Sequence, residues 1–182
     1  MRPEIQTFSG RMFSPLEPAA GEIEIEDIAH ALSNQCRFGG HCRVFYSVAQ
    51  HSCVVADVVA ALDEGADAQL WALLHDASEA YLLDLPHPIK HRTELGEAYR
   101  AIEAPLQAAI CERFGLAVEP PAAVKEADRA VLASERLAFM RDTGDWPELD
   151  GVEAIDLMLE PWLPARAARE FLERFARLEA AR

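Results

Sequence analysis

The residues best suited to chemistry lie between Trp71 and Pro86, where ionisable side chains interrupt an apolar pattern. If this stretch is a helix ending near Leu83, His75, Asp76 and Glu79 are spaced three and four residues apart and can line one side of it. Burying ionisable groups is costly unless they are paired or bind a charged ligand. A metal ion is one explanation, and a hydrogen-bonded core histidine beside a solvated aspartate and glutamate is the other.

A second histidine, His51, lies on the apolar stripe of the preceding predicted helix. Ser47 and Gln50 resemble a capping box, so this helix should begin at Ser47. Only a few residues around Gly65 separate the two helices, which predicts antiparallel neighbours whose His51 and His75 side chains can meet. A lone inward histidine is usually a core residue. Two of them next to an aspartate favour a metal site.

A further carboxylate, Asp128, lies among aliphatic residues of a helix predicted to start at Pro120 and Pro121. Inward positions on three helices thus supply two imidazoles and two carboxylates. Such a set suits one divalent ion, Mn, Co, Fe, Ni, Zn or Mg, with positions left open for water and substrate. The candidate ligands are His51, His75, Asp76 and Asp128.

The elements that must position these residues are predicted to be helices. Apolar periodicity and capping signals place further helices at about 26–36, from Thr93 to Gly115 with a kink or break at Pro105, and from Pro164 onward. Residues 1–22 contain short apolar pieces between prolines and glycines, which predicts a small β-hairpin or packed arm. The sequence therefore predicts an all-α bundle forming a single domain over 1–182, with its core at about 25–140 and a C-terminal helix at about 164–180.

The composition narrows the class of protein. With 182 residues, 51% of them hydrophobic, the chain can bury one substantial core. A formal charge of -14 argues against wrapping a nucleic-acid polymer, which needs clustered lysine and arginine. Neither a membrane-spanning apolar run nor a signal-peptide pattern is seen, so a cytoplasmic protein with no membrane partner is expected. The four cysteines form no Cys-x-x-Cys pair and are predicted to be reduced packing residues, with Cys36 and Cys42, which flank a polar loop, as the exception.

The order of the candidate ligands resembles the HD-domain metal-dependent phosphohydrolases. A histidine is followed about 24 residues later by a His-Asp doublet in an Ala/Leu-rich helix, and a further aspartate lies on a later helix. The resemblance spans roughly 25–140. Arg37, the segment 47–52, and the doublet followed by Glu79, Asp84, Pro86 and Lys90 are similar to the YfbR-type 5′-deoxynucleotidases and to the related HD-domain dATP and dNTP phosphohydrolases.

This resemblance implies an HD-domain helical bundle with one divalent ion on the four ligands named above. It also implies that Glu79 and Asp84 act on the attacking water and the leaving oxygen, and that Arg37 holds the phosphate. Phosphoryl transfer depends mainly on positioning and charge neutralisation, which such a site provides. The expected reaction is removal of phosphate from deoxynucleoside 5′-monophosphates, or of polyphosphate from deoxynucleoside triphosphates.

Other residues near the motifs are candidates for binding the nucleotide. Lys90, His87 and His41 could contact phosphate or sugar, although a loop lysine is as often simply solvated. Phe38 could stack on the base or pack in the core. The preferred base and the number of phosphates stay open at this stage.

Two alternatives belong to different classes of protein. One is a non-catalytic metal- and nucleotide-binding module. A protein that had lost catalysis would be expected to lose Glu79 and Asp84 before the metal ligands, and both are present here. The other is a di-iron HD-type oxygenase or a cyclic-nucleotide phosphodiesterase, which uses additional histidines on later helices. The chain has no histidine after Arg92, which argues for one metal. Similar enzymes form oligomers, so we predict a homo-oligomer, with the apolar final helix as one candidate contact surface.

Overall fold

The computed structural model describes residues 2–141, 144 and 146–182, and this part of the chain is mainly helical. Near the N-terminus, β1 (Ile5–Gln6) pairs antiparallel with β2 (Met12–Phe13), with Ile5 opposite Phe13. The prediction of an all-α fold with a small N-terminal hairpin is therefore confirmed.

The helices begin close to the predicted capping residues. The Ser47 hydroxyl accepts a hydrogen bond from the Gln50 amide at 3.1 Å, and the Thr93 hydroxyl accepts one from the Gly96 amide at 3.1 Å. In chain order the helices are α1 (Ile25–Asn34), α2 (Val48–Ala61), α3 (Ala66–Leu74), α4 (Glu79–Leu82), α5 (His87–Arg92), α6 (Glu94–Arg113), α7 (Ala122–Phe139) and α8 (Pro164–Ala180).

Helix α2 lies at the centre of the bundle, in contact with α1, α3, α7 and α8. Its apolar residues give it little amphipathic character, as expected of a helix that is covered on several sides. The core around it includes Leu32 of α1, Leu70 of α3 and Phe171 of α8, all fully buried. A polar side chain on α2 is consequently held inside the bundle, and this is the environment of His51.

The segment around His75 differs from the single helix that was predicted. Helix α3 ends at Leu74, residues 75–78 form a turn, and α4 begins at Glu79. The turn is tighter than an α-helix, because the Glu79 amide donates to the Asp76 carbonyl, three residues back, at 3.0 Å. Residues three apart lie on the same side of such a turn, so the side chains of Asp76 and Glu79 still project from one side of the chain.

Pro105 does not break its helix. Helix α6 runs without interruption from Glu94 to Arg113, so the expected break is absent. Pro105 is exposed, and a proline removes only one backbone hydrogen bond from a helix of 20 residues.

Among the described residues, no helix is both long and apolar enough to cross a membrane.

Candidate metal centre

His51 is the most deeply buried member of the site, with a fully buried ring on α2. Its Nδ1 lies 2.7 Å from Oε1 of Glu135, a carboxylate that can only accept, so Nδ1 carries the proton. This assignment leaves the lone pair on Nε2, which points away from Glu135. His51 is therefore oriented as a metal ligand usually is, by a partner on its second nitrogen.

His75 follows the last residue of α3 and is oriented in the same way. Its Nδ1 donates to the Ala72 carbonyl at 2.7 Å, which leaves its Nε2 as an acceptor. The Nε2 atoms of His51 and His75 are 3.2 Å apart. Two lone pairs this close repel each other unless a cation, either a proton or a metal ion, lies between them.

Two carboxylates complete the group. The distances from Asp76 Oδ2 and Asp128 Oδ1 to the two Nε2 atoms run from 3.1 to 3.7 Å. Ligands bound at about 2.0–2.1 Å to one first-row ion are about 2.9–3.4 Å from each other, so the observed separations are close to those of a filled site. His51, His75 and Asp76 lie within 4.8 Å of one another and can hold a metal ion. Asp128 on α7 lies beside this group, with Oδ1 3.1 Å from Nε2 of His51 and 3.7 Å from Nε2 of His75.

The charges around the centre favour a cation. Burial lowers the pKa of His75, but Asp76 and Asp128 outweigh it and raise that pKa well above its ordinary value. Burial likewise raises the pKa of Asp76, but His75 and His51 outweigh it and hold that pKa well below the usual range. In chemical terms, the imidazoles bind a positive charge tightly at the point where the donors converge.

The structure adds Glu135, which the sequence analysis did not select. This α7 residue is fully buried, and its Oε2 lies 3.2 Å from Nε of Arg37. It thus contacts His51 with one oxygen and Arg37 with the other. The spacing held a signal, since Glu135 is seven residues after Asp128, two helical turns along the same face.

Arg37 lies in the short turn Arg37–Gly40 and is buried. Besides Glu135, its guanidinium approaches Asp76, with Nη1 3.6 Å from Oδ2. Burial lowers the pKa of Arg37, but Glu135 and Asp76 more than compensate and raise it above its ordinary value. The guanidinium therefore stays charged beside the metal ligands.

Glu79 and Asp84 both lie close enough to Asp76 to interact with its charge. The Glu79 side chain is buried, and its Oε2 has no hydrogen-bond partner among the described residues. Burial, with the nearby charges of Asp76 and Asp84, raises the pKa of Glu79 well above its ordinary value. The side chain of Gln35 holds both residues, because its Nε2 donates to the Glu79 carbonyl at 2.9 Å and its Oε1 accepts from the Asp84 amide at 3.2 Å.

The remaining candidates for binding nucleotide are Lys90, His41, His87 and Phe38. Lys90 is paired with Glu103, with Nζ 2.7 Å from Oε1. His41 and His87 are exposed. Phe38 is half buried, and its ring meets Trp146 edge to face at 6.0 Å between centroids. Arg37 thus approaches Asp76 directly, and Glu79, Asp84 and Lys90 interact with the charge of Asp76 at longer range.

Two known proteins are similar to this chain. The YfdR protein of Escherichia coli K12 is 40% identical over 173 residues, which cover 94% of this chain and 93% of YfdR. This chain belongs to the YfdR family. A protein of Rhodobacter capsulatus is 40% identical over 126 residues, which cover 67% of this chain and 63% of that protein. Both relatives are named only as uncharacterized proteins, and no protein-family model matches the chain. Membership of the YfdR family therefore indicates no particular activity.

Proposed function

We propose that this protein is a metal-dependent phosphohydrolase of the HD-domain type that acts on nucleotides. One divalent ion would be held by His51, His75, Asp76 and Asp128. The observation that carries the proposal is the pair of Nε2 atoms, 3.2 Å apart and flanked by two carboxylates, on rings whose Nδ1 atoms are already hydrogen-bonded elsewhere. The presence of a buried arginine and a buried, unpartnered glutamate beside this group distinguishes it from a purely structural metal site.

The ion, when bound, would polarise a phosphate oxygen and lower the pKa of a water molecule. Arg37 would contribute positive charge next to the same phosphate. Its guanidinium is held in place by Glu135 and Asp76, so little side-chain entropy would be lost when it donates hydrogen bonds to phosphate oxygens.

Glu79 would handle the proton of the attacking water. Its raised pKa makes its carboxylate a better proton acceptor than that of an ordinary glutamate, and its free Oε2 is available to receive the proton. Asp84, whose pKa burial also raises, would act with Glu79 on the leaving oxygen. Gln35 fixes the backbone of both residues and so sets where the two carboxylates point.

The expected substrates are deoxynucleoside 5′-monophosphates or triphosphates. The half-buried Phe38, next to Arg37 and in contact with Trp146, offers an aromatic surface for a base. Lys90 is already paired with Glu103, so its charge is less available to a long polyphosphate. This favours the monophosphate among the two substrate classes.

The test is hydrolysis of a panel of ribo- and deoxynucleoside mono- and triphosphates by metal-stripped protein refilled with Mn, Co, Mg or Zn. Release of phosphate, pyrophosphate or triphosphate identifies both reaction and leaving group. The matched control is Asp128→Ala, which should lose metal and activity together. Folded protein that binds one metal per chain but releases no product from any member of the panel would reject the hydrolase and favour a nucleotide-binding module.

A further inference from the structure

Two cysteines lie in contact beside the candidate metal centre. Cys36 Sγ and Cys42 Sγ are 3.4 Å apart, and both residues are half buried. A disulfide bond is about 2.05 Å long, so closing the gap takes a movement of only about 1.4 Å. The other cysteines, Cys53 and Cys111, are buried in the core. Cys36 and Cys42 are thus the pair placed to react with each other.

The backbone between them brings the two thiols together. Phe38, Gly39 and Gly40 are consecutive residues with positive φ values of 56°, 57° and 80°. This left-handed turn reverses the chain within five residues and returns Cys42 to Cys36. A loop this short keeps the effective concentration of one thiol at the other high.

The same loop carries Arg37. The Cys42 thiol donates a weak hydrogen bond to the Arg37 carbonyl, with Sγ 3.7 Å from the oxygen. Cys36 pairs with Ser47, the residue that caps α2, the helix of His51. A change at either sulfur therefore acts on the backbone that positions Arg37 against Glu135 and Asp76.

We infer that Cys36 and Cys42 form a reversible disulfide that controls the position of Arg37. With a small disulfide such as oxidised glutathione as oxidant, the Cys36 thiolate attacks one sulfur and releases one glutathione thiolate. Cys42 then gives up its proton to solvent, attacks Cys36 Sγ and releases the second glutathione. Two protein thiols become one disulfide, and the oxidant is reduced to two thiols. The Cys42 hydrogen bond to Arg37 is lost because its proton has left.

The bond can be mapped by mass spectrometry on the wild-type protein. The reduced protein is equilibrated with defined ratios of reduced and oxidised glutathione, free thiols are alkylated, and the chain is digested with trypsin without reductant. Trypsin cleaves after Arg37 and Arg43, so Cys36 and Cys42 fall in separate peptides, 12–37 and 38–43. The expected product is these two peptides joined, and reductant should separate them.

Two controls make the result decisive. Cys53 and Cys111 lie in other peptides and should be alkylated once the protein is unfolded. In Cys36→Ser, Cys42 should stop at a mixed disulfide with glutathione. Alkylation of both Cys36 and Cys42 at every glutathione ratio, or joining to Cys53 instead, would overturn the inference.

The effect on turnover rests on the proposed function and is read separately. Oxidised protein should show a KM for the nucleotide raised by about tenfold, since a charge-assisted hydrogen bond from Arg37 is misplaced. Dithiothreitol should restore the KM, and the double variant C36S/C42S should be insensitive to oxidation. Absence of hydrolysis in both states would reject the proposed function, and the peptide map alone would then show whether the disulfide forms. Equal KM values in both states would overturn control of Arg37.

Discussion

Glu135 determines which nitrogen of His51 faces the other ligands. Its Oε1 accepts from Nδ1, and its Oε2 neutralises Arg37, so one carboxylate orients a ligand and balances the nearest positive charge. Burial raises the pKa of Glu135, but Arg37 and His51 outweigh it and lower the value, which keeps this carboxylate ionised. Removing its charge should therefore disturb metal binding, even though Glu135 is not itself a ligand.

Glu135→Gln should weaken metal binding without unfolding the protein. The glutamine carbonyl can still accept from His51, but Arg37 loses its nearest counter-charge and is drawn toward Asp76. Loss of such an outer partner typically costs about 10–100-fold in metal affinity. Titration of Mn or Co into metal-stripped protein measures this. Glu126→Gln, an exposed change on the same helix, is the matched control. Equal affinities in the two variants would contradict this role.

Glu79→Gln should separate catalysis from metal binding. The substitution keeps the shape of the side chain but removes its ability to accept a proton, and Glu79 is not among the four ligands. We expect unchanged metal content and a kcat lower by about 10²–10⁴-fold, the usual contribution of a general base. Metal per chain is measured alongside nucleotide hydrolysis. If Glu79→Gln loses metal to the same extent as Asp128→Ala, the division of roles is wrong.

Residue spacing identified the candidate ligands but not the side chains that hydrogen-bond to them. His51, His75 and Asp128 stand out as polar residues at inward positions of apolar helices. Glu135 does not, because it lies between Ser134 and Arg136, in a polar stretch that reads as a solvated surface. The spacing of seven residues from Asp128 places Glu135 on the same helical face, but its pairing with Arg37, almost 100 residues earlier, has no local signature.

Among the elements, the turn at 75–78 is the one that shapes the site. An uninterrupted α-helix would have carried His75 and Glu79 on one face, whereas the tighter turn aligns Asp76 with Glu79. The helix was predicted from apolar periodicity, which does not distinguish three from 3.6 residues per turn over a few residues. At the interruption the His75 side chain hydrogen-bonds to the Ala72 carbonyl, a contact that apolar periodicity does not report.

Gln35, at the end of α1, bonds to the backbone of Glu79 and Asp84. We expect Gln35→Ala to slow the reaction because the carboxylates of these two residues are then misplaced. Without its amide, the Glu79 carbonyl and the Asp84 amide lose the group that joins them. We expect kcat to fall by about tenfold or more, as for a small misplacement of catalytic groups, with unchanged metal affinity. Steady-state kinetics and metal titration measure the two effects.

The control for that variant is Gln69→Ala, because the Gln69 amide also donates to a backbone carbonyl, that of Glu64, but at an exposed place. Gln35→Ala with the kcat of the control would show that Gln35 does not position Glu79 and Asp84.

For the molecule as a whole, the sequence predicts the hairpin and the starts of α2, α6 and α8 well because each has a local cause. Capping by Ser47 and Thr93, and proline at the start of α8, are readable without a structure. The packing of α8 against α1, α2 and α3 cannot be predicted in the same way, because the apolar face of α8 could pack against many surfaces. That face is covered within the chain, so the final helix is a weaker candidate for contacts between copies than its pattern suggested.

The candidate ligands come from α2, from the turn after α3 and from α7, so a bound ion would join three parts of the bundle. Binding to the folded state alone stabilises a protein by about 2.7 kcal/mol at a metal concentration of 100 times Kd. For a chain of this size this corresponds to a rise in Tm of roughly 5–10 °C. Thermal unfolding with Mn or with excess EDTA should show this difference in the wild-type protein and little or none in Asp128→Ala. A shift of the same size in that variant would place the bound metal elsewhere, and the exposed pair His87 and His91 would be the next residues to replace.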